Sequence, residues 1–272
     1  MTATLDMPDI ANQYLQDLGI EFKNNDIEFL NALQSAHIAK YSFNSLAVVL
    51  GKSISLDVQD IFQKIVVQQK GGYCFEHNKL VQNVLEALGF EVRLLLARVV
   101  YNQNIDTART HRIMMVSLNG SDYIVDAGFG HLGARLPVNM ELGLDQDQGD
   151  ARYRIIKNSQ QEYCYQIFKD DDFFTLYTFN SERYSEADCT LGHFYSHRSP
   201  DAAFVNNLVI SRKKYNDIQS LRNGELHQIS DGETHTTLIK SASQLHEVLL
   251  STYELEVDTA VSEFLFSKFV SQ

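Results

Sequence analysis

The chain has 272 residues, 44% hydrophobic and 21% charged, with 23 basic against 35 acidic side chains and a formal net charge of −12. That length buries a core without a disulfide or metal staple, and the balance of residue types argues against disordered, collagen-like and coiled-coil classes. An acidic chain repels phosphate backbones, which disfavours nucleic-acid binding by general charge but leaves small-molecule chemistry open.

Residues 8–90 read as helical. Tyr14, Leu15 and Leu18 share a face at helical spacing, as do Phe29, Leu30 and Leu33, and Ile61, Ile65 and Val66. From 75 to 88 the apolar set Val81, Val84, Leu85 and Leu88 keeps the spacing, and Gly89 ends it. From Phe90 the pattern changes to short segments rich in β-branched and aromatic residues, at 90–100, 112–118, 122–127, 152–157, 162–168 and 173–179, read as antiparallel strands. Residues 143–150 read as a polar loop, and the stretch around Cys189 as loop-like. Strand-like segments follow at 204–211, 214–222, 225–230 and 235–240, with an Asn223-Gly224 turn, then a helix at 242–252 and a short helical tail around Phe264–Phe269. Helices first, strands next and a mixture last indicate α+β rather than alternating α/β. The N-terminus lacks the basic and apolar regions of a signal peptide, and no apolar run nears the ~20 residues that span a bilayer. Three scattered cysteines form no disulfide framework, so a reduced, cytoplasmic, soluble protein is expected, with no membrane partner.

Cys74 lies where Gly71-Gly72 meets the start of a predicted helix. Glycines allow a tight turn and close approach, and a helix N-terminus offers free N–H groups and a positive dipole end; both favour a thiolate. The plain alternative is a small buried apolar residue. For Cys164, inside a strand, and Cys189, that alternative is preferred.

A thiolate nucleophile wants an imidazole, and the imidazole an orienting carboxylate. Asn119-Gly120 is a two-residue hairpin signal. With that turn Leu118 opposes Ser121, and counting back sets Ile113 opposite Asp126. His111 is then on the Asp126 face, as its diagonal neighbour across two strands. A purely structural His–Asp pair is the alternative. Cys74 with His77, and Cys189, His193 and His197, have spacings that zinc ligands can take; the first pair has no second pair and the second set contains Gly192, so no metal is expected. Phosphate-loop and Rossmann glycine patterns are absent.

The blocks Gly71-Gly72-Tyr73-Cys74-Phe75-Glu76-His77-Asn78, Thr110-His111 and Asp126-Ala127-Gly128-Phe129-Gly130 resemble the arylamine N-acetyltransferase family. Leu88-Gly89-Phe90, Ala97-Arg98-Val99, Ser199-Pro200 and Phe204-Val205-Asn206-Asn207 extend the likeness along most of the chain. The resemblance implies an N-terminal helical bundle (1–89), a central antiparallel β-barrel (90–198) and a C-terminal α/β lid (199–272). It also implies a Cys74-His111-Asp126 triad and acetyl transfer from acetyl-CoA, a co-substrate and not a resident cofactor, to an arylamine or hydrazine by a ping-pong route. Gly128, Phe129, Gly130 and Thr107 would meet the donor, and Phe43, Phe129 and Tyr73 the acceptor, with core packing as the alternative for the phenylalanines. A related acyltransferase or amide synthase, or a degenerate binding protein, would share these residues. Three departures stand out: Lys70 for the family's Arg, Asn44 for its Glu and Asp17 for its Arg, all salt-bridge positions in the family. Lys70 is expected to stay near solvent or on backbone carbonyls, and Glu76 to find a partner other than position 17. The basic run Arg212-Lys213-Lys214 is left without a role, and oligomeric state is unknown.

Overall fold

A computed structural model of the chain describes residues 5–271. Helices α1 (Met7–Leu18) and α2 (Ile27–Lys40) begin at Asp6 and Asp26, whose side chains accept from the Asp9 and Phe29 N–H groups and so satisfy donors left free at a helix start. Next come the two-residue strand β1 (Phe43–Asn44), α3 (Leu46–Val49), α4 (Val58–Phe62), a π-helical turn (Gln63–Val67) and α5 (Cys74–Ala87). Their apolar faces form one core that includes Ile10, Tyr14, Leu30, Leu33, Ile61, Leu80 and Val84.

Strands β2 (Glu91–Val99), β3 (His111–Leu118), β4 (Ser121–Val125), β5 (Val138–Asn139), β6 (Gln146–Asp147), β7 (Arg152–Lys157), β8 (Tyr163–Lys169) and β9 (Asp172–Phe179) form an antiparallel sheet in the order β5-β4-β3-β2-β9-β8-β7-β6. Its two edges meet through side-chain amides: Gln146 accepts from Asn139 N–H at 2.8 Å and donates to Asn139 O at 3.0 Å, and Gln148 bridges to Leu136 N–H and O in the same way, so the sheet is nearly closed into a barrel. Strand β3 is buried on both faces. Ile113 and Met115 point into the barrel core, while Met114 and Val116 join the helical core. β4 alternates likewise, with Ile124 in the barrel and Val125 against the helices. Period-two alternation therefore puts His111 and Asp126 on the barrel-facing side at one end of the sheet. Asn119 (φ 51°) and Gly120 (φ 81°) make the tight turn that sets this register, with Leu118 opposite Ser121.

After β9 the chain enters α6 (Glu186–Arg198), α7 (Ala203–Asn206), β10 (Val209–Lys214), β11 (Asp217–Arg222), β12 (Glu225–Ser230), β13 (Glu233–Leu238), α8 (Ala242–Ser251) and α9 (Thr259–Phe269). A second sheet runs β1-β10-β11-β12-β13, so Phe43 and Asn44 are strand partners of Ser211 and Ile210. α8 and α9 cover it with Leu245, Leu249 and Leu265. The architecture is α+β, as expected.

Three local readings are corrected. The stretch around Cys189 is the helix α6, not a loop. Its pattern is inverted: Leu191, Phe194 and Tyr195 are exposed while Cys189, Gly192, His193 and Ser196 face inward, so apolar periodicity gives no core-facing stripe. Its start was nevertheless legible, because Ser185 and Asp188 form a capping box. Residues 204–206 of the expected strand 204–211 belong to α7, and pairing begins at Val209. The loop 143–150 contains β6, held by the Gln146 amide. Among the described residues no helix is long and apolar enough to cross a membrane.

Candidate active site

Cys74 is the first residue of α5. Gly71, at φ 60°, turns the chain beneath it; a Cβ there would fall 2.1 Å from the Ser42 carbonyl oxygen. Glu76 then accepts from the Tyr73 N–H, closing the first turn. Cys74 is 2% exposed, and its Sγ lies 3.6 Å from the Thr110 carbonyl oxygen. The next residue, His111, opens β3. Its Nε2 is 2.7 Å from Asp126 Oδ2, which leaves Nδ1 for the sulfur.

Burial by itself would lower the His111 pKa. The Asp126 charge and hydrogen bond, with a hydrogen bond and charge from Cys74, instead push it up to about 10. Burial would raise the Asp126 pKa, but His111, the Asn78 amide and the Gly128 N–H hold it below the usual carboxylate value. The pair is therefore an imidazolium beside a carboxylate at neutral pH.

Asp126 is fastened on every side. Asn78, one turn beyond Cys74, donates through Nδ2 to Asp126 Oδ1 at 2.8 Å and to the Arg112 carbonyl, and its Oδ1 accepts from Ala127 N–H. One amide thus ties the Cys74 helix, the His111 strand and the Asp126 loop. Gln34 on α2 accepts from the Asp126 N–H at 3.1 Å and donates to Ala134 O at 2.9 Å. Gln34 was missed in the sequence. Its signal is a polar residue on the buried helical stripe of Leu30, Leu33 and His37.

Gly128 packs directly on the start of α5, since a Cβ would lie 2.9 Å from Cys74 Cα. Phe129 stands edge-on to His111 with ring centroids 5.1 Å apart. Phe43, Phe129, Gly130 and Ser211 line a narrow pocket that reaches Asp126. Tyr73 is turned toward α6, its hydroxyl on His193 Nδ1, and Thr107 directs its hydroxyl to the Val99 carbonyl. Neither lines that pocket.

A family model described as N-acetyltransferase matches residues 26–262. The arylamine N-acetyltransferase of Mycolicibacterium smegmatis is 30% identical over 251 residues, 90% of this chain and 91% of that one. The chain belongs to the arylamine N-acetyltransferase family. The solved structure of the Mycobacterium marinum arylamine N-acetyltransferase in complex with CoA superposes with a TM-score of 0.89 at 26% identity, covering 95% of this chain and 99% of that one. The Salmonella typhimurium arylamine N-acetyltransferase, at 24% identity, shares the fold with a TM-score of 0.90 over 96% of this chain and 98% of its own.

The three departures from the family pattern form a rewired support. Glu76 pairs with Lys64, Oε1 to Nζ at 2.6 Å, and not with position 17. Asp17 pairs with Lys40 at 2.8 Å and accepts from the Tyr41 hydroxyl. Lys70 is exposed, and its carbonyl accepts from Asn44 Nδ2 at 3.0 Å. The basic run is not a free cluster. Lys213 is buried on Asp150, Gly133 O and the Tyr153 hydroxyl, and Arg212 pairs with Glu254. On α6, both nitrogens of His193 are engaged, by the Tyr73 hydroxyl and the Ile54 carbonyl.

Proposed function

We propose that this protein transfers acetyl from acetyl-CoA to the nitrogen of an arylamine or arylhydrazine through an acetyl-thioester on Cys74. The observation that carries the reading is the alignment of the Cys74 sulfur, His111 and Asp126, with the imidazole held at 2.7 Å by a buried carboxylate. The Cys74 thiolate attacks the thioester carbonyl carbon, the carbon–sulfur bond to CoA breaks, and the CoA thiolate takes the His111 proton. The amine nitrogen then attacks acetyl-Cys74 and gives its proton to His111, and Cys74 leaves as thiolate. The sum is acetyl-CoA and amine to amide and CoA, with no redox change. Asp126 keeps the imidazole oriented and stabilises its charged form.

On this reading Phe43 and Phe129 guide the aromatic ring toward the sulfur, since they wall the pocket that ends at Asp126. Gly130 lines that pocket without a side chain, and Gly128 lets the Asp126 loop pack on the Cys74 backbone. Tyr73 and Thr107 act from behind, through α6 and the β2 backbone. We retain the division at 89 and 198 into bundle, barrel and lid, and a cytoplasmic location, to which the three free buried cysteines are suited.

The test is purified protein with acetyl-CoA and a panel of arylamines and hydrazines, following released CoA thiol and the mass of the Cys74 peptide. Acetyl on Cys74 without acceptor, discharged on adding amine, is expected. An acyl adduct that amines never discharge would sink the acceptor assignment. No adduct and no CoA release would sink the reaction.

A further inference from the structure

Three hydrogen bonds run in line through the helical core, among groups that the acetyl transfer does not use. The Tyr14 hydroxyl is 2.6 Å from His37 Nδ1, His37 Nε2 is 2.7 Å from His77 Nδ1, and His77 Nε2 is 3.2 Å from the Ser42 carbonyl oxygen. All three side chains are fully buried. A carbonyl can only accept, so His77 Nε2 carries the proton. Both rings are uncharged: burial pushes the His77 pKa down to about 4 and that of His37 well below its ordinary value. Lys64 from the π turn and Asp126 beyond β4 also face His77, with opposite effects, and the Gly72 carbonyl lies beside it.

A neutral imidazole has one N–H. His77 Nδ1 is therefore a lone pair, and His37 Nε2 must donate to it. His37 Nδ1 is then the second lone pair, and the Tyr14 hydroxyl donates there. Burial keeps that hydroxyl protonated, its pKa raised well above 10. Every proton in the chain follows from a hydroxyl at one end and a carbonyl at the other. Reversing the chain would set the His77 Nε2 lone pair against the Ser42 oxygen, two buried acceptors facing each other.

The Ser42 carbonyl is worth holding. It accepts from Gly72 N–H at 3.2 Å, and Asn44 N–H donates back to Gly72 O at 2.6 Å. Gly71 packs under it so tightly that no side chain fits. Between these contacts the strand presents Phe43, whose ring lies near-parallel to His77, centroids 6.5 Å apart. The position of this one carbonyl sets both the glycine turn that leads into Cys74 and the ring beside it.

We propose that the Ser42 carbonyl fixes the tautomers of His77 and His37, with the Tyr14 hydroxyl closing the chain, and that the His77–Ser42 hydrogen bond positions Phe43 and the Gly71-Gly72 turn for reaction at Cys74. The part concerning reaction rests on the acetyl-transfer reading above; the part concerning tautomers does not. Tyr14, His37 and His77 are positioning residues, since none touches the reacting atoms.

The experiment has two arms. Long-range nitrogen–proton spectra of protein labelled with 15N-histidine read the tautomers at pH 7. Both His37 and His77 are expected as Nε2–H forms, in Tyr14→Phe as in the wild type, with only the His37 Nδ1 signal shifted by the lost donor. An Nδ1–H form of His77 in either protein would overturn the proposal. The second arm compares His77→Gln, which keeps a donor for Ser42, with His77→Leu, which has none, in protein shown folded by circular dichroism. Loss of the bond should lower kcat/KM for the arylamine about ten-fold in the Leu variant, mainly through KM, against less than about three-fold for Gln. Equal activity of the Leu variant and the wild type would overturn the positioning role. Should the wild type transfer no acetyl at all, the acetyl-transfer reading fails instead. Alkylation of Cys74 by iodoacetamide then serves as the readout, with the same order expected. If the Leu variant does not fold, the tautomer of His77 in the first arm still decides.

Discussion

Asn78 lies one helical turn beyond Cys74 and donates to the Asp126 carboxylate at 2.8 Å. The same amide holds the Arg112 carbonyl and the Ala127 N–H, so it fixes where the nucleophile helix sits against the imidazole strand. Asn78→Leu removes all three bonds at similar volume. A displacement of about 1 Å between reacting groups costs on the order of 100-fold in rate, and a loss of that order in acetyl transfer is expected. Asn78→Asp should be worse, because it sets a second carboxylate against Asp126. Steady-state rates of the two variants check this; a loss below about three-fold in both would show that Gln34 and Gly128 hold Asp126 without help.

The His111–Asp126 pair also predicts a pH dependence. His111 titrates at about 10 in the fold against an ordinary value of 6.5. Its pairing therefore stabilises fully below pH 6.5 and is lost as pH rises toward 10. Asp126 has a lowered pKa, so its share is present above the ordinary carboxylate value and is lost as pH falls. Thermal unfolding of the wild type and His111→Gln, compared from pH 5 to 10, should show a gap that is steady up to about pH 6.5 and narrows above it. A gap that widens toward pH 10 would mean that His111 is not held as an imidazolium.

Much of this site was legible because its parts are local. The Gly-Gly pair, the helix start at Cys74 and the Asn119-Gly120 turn each have a short-range physical signature. Period-two counting from the turn puts His111 and Asp126 on one face from the sequence alone. Long-range partners leave no such trace. Nothing near Glu76 in sequence names Lys64 as its partner, and nothing near Asp126 names Gln34, 92 residues away. The helix α6 escaped for a different reason. Its inward side is Cys189, Gly192, His193 and Ser196 because it packs closely, with a Cβ at Gly192 falling 2.7 Å from the Arg109 carbonyl oxygen. Small and polar residues on an inward face defeat apolar periodicity. Likewise the run Arg212-Lys213-Lys214 looks like one cluster in sequence, but strand alternation sends Lys213 inward to Asp150.

Glu76 is 1% exposed and depends on Lys64. Burial raises its pKa, and the Lys64 charge and hydrogen bond act against that rise. Lys64→Met leaves the carboxylate without a counter-charge, and breaking a buried pair costs about 3 kcal/mol or more. The loss is expected at pH 7 and should shrink as pH falls, because protonated Glu76 needs no cation. Denaturant unfolding at pH 7 and pH 5 measures it. Equal destabilisation at both values would assign the effect to the lost packing of the lysine stem instead.

The last prediction concerns Asn44 and Lys70, where the family carries Glu and Arg. Asn44 is 4% exposed, and its Nδ2 points at the Ser42 carbonyl, the Ser42 hydroxyl and the Lys70 carbonyl. Replacing that donor group by a carboxylate oxygen turns attraction into repulsion at two carbonyls. The exposed Lys70, whose carbonyl Asn44 holds, is the family's cation position for that carboxylate, and its point charge lacks the planar fork that grips one. Asn44→Glu alone is therefore expected to destabilise by about 2–3 kcal/mol, the range for an unsatisfied buried polar group. Lys70→Arg alone should be nearly neutral, because that side chain lies in solvent. Together they should recover at least about 1 kcal/mol, as a coupled pair does in a double-mutant cycle. The side-chain hydrogen bonds of Asn44 go to Ser42, Leu46 and Lys70 and not to Cys74, His111 or Asp126, so the rate of acetyl loading should hold. The profile across arylamines should change, because Phe43 precedes Asn44 on the same strand. Additive stabilities would show that the two positions no longer communicate in this chain. A large rise in loading rate would show that the native pair impairs the triad.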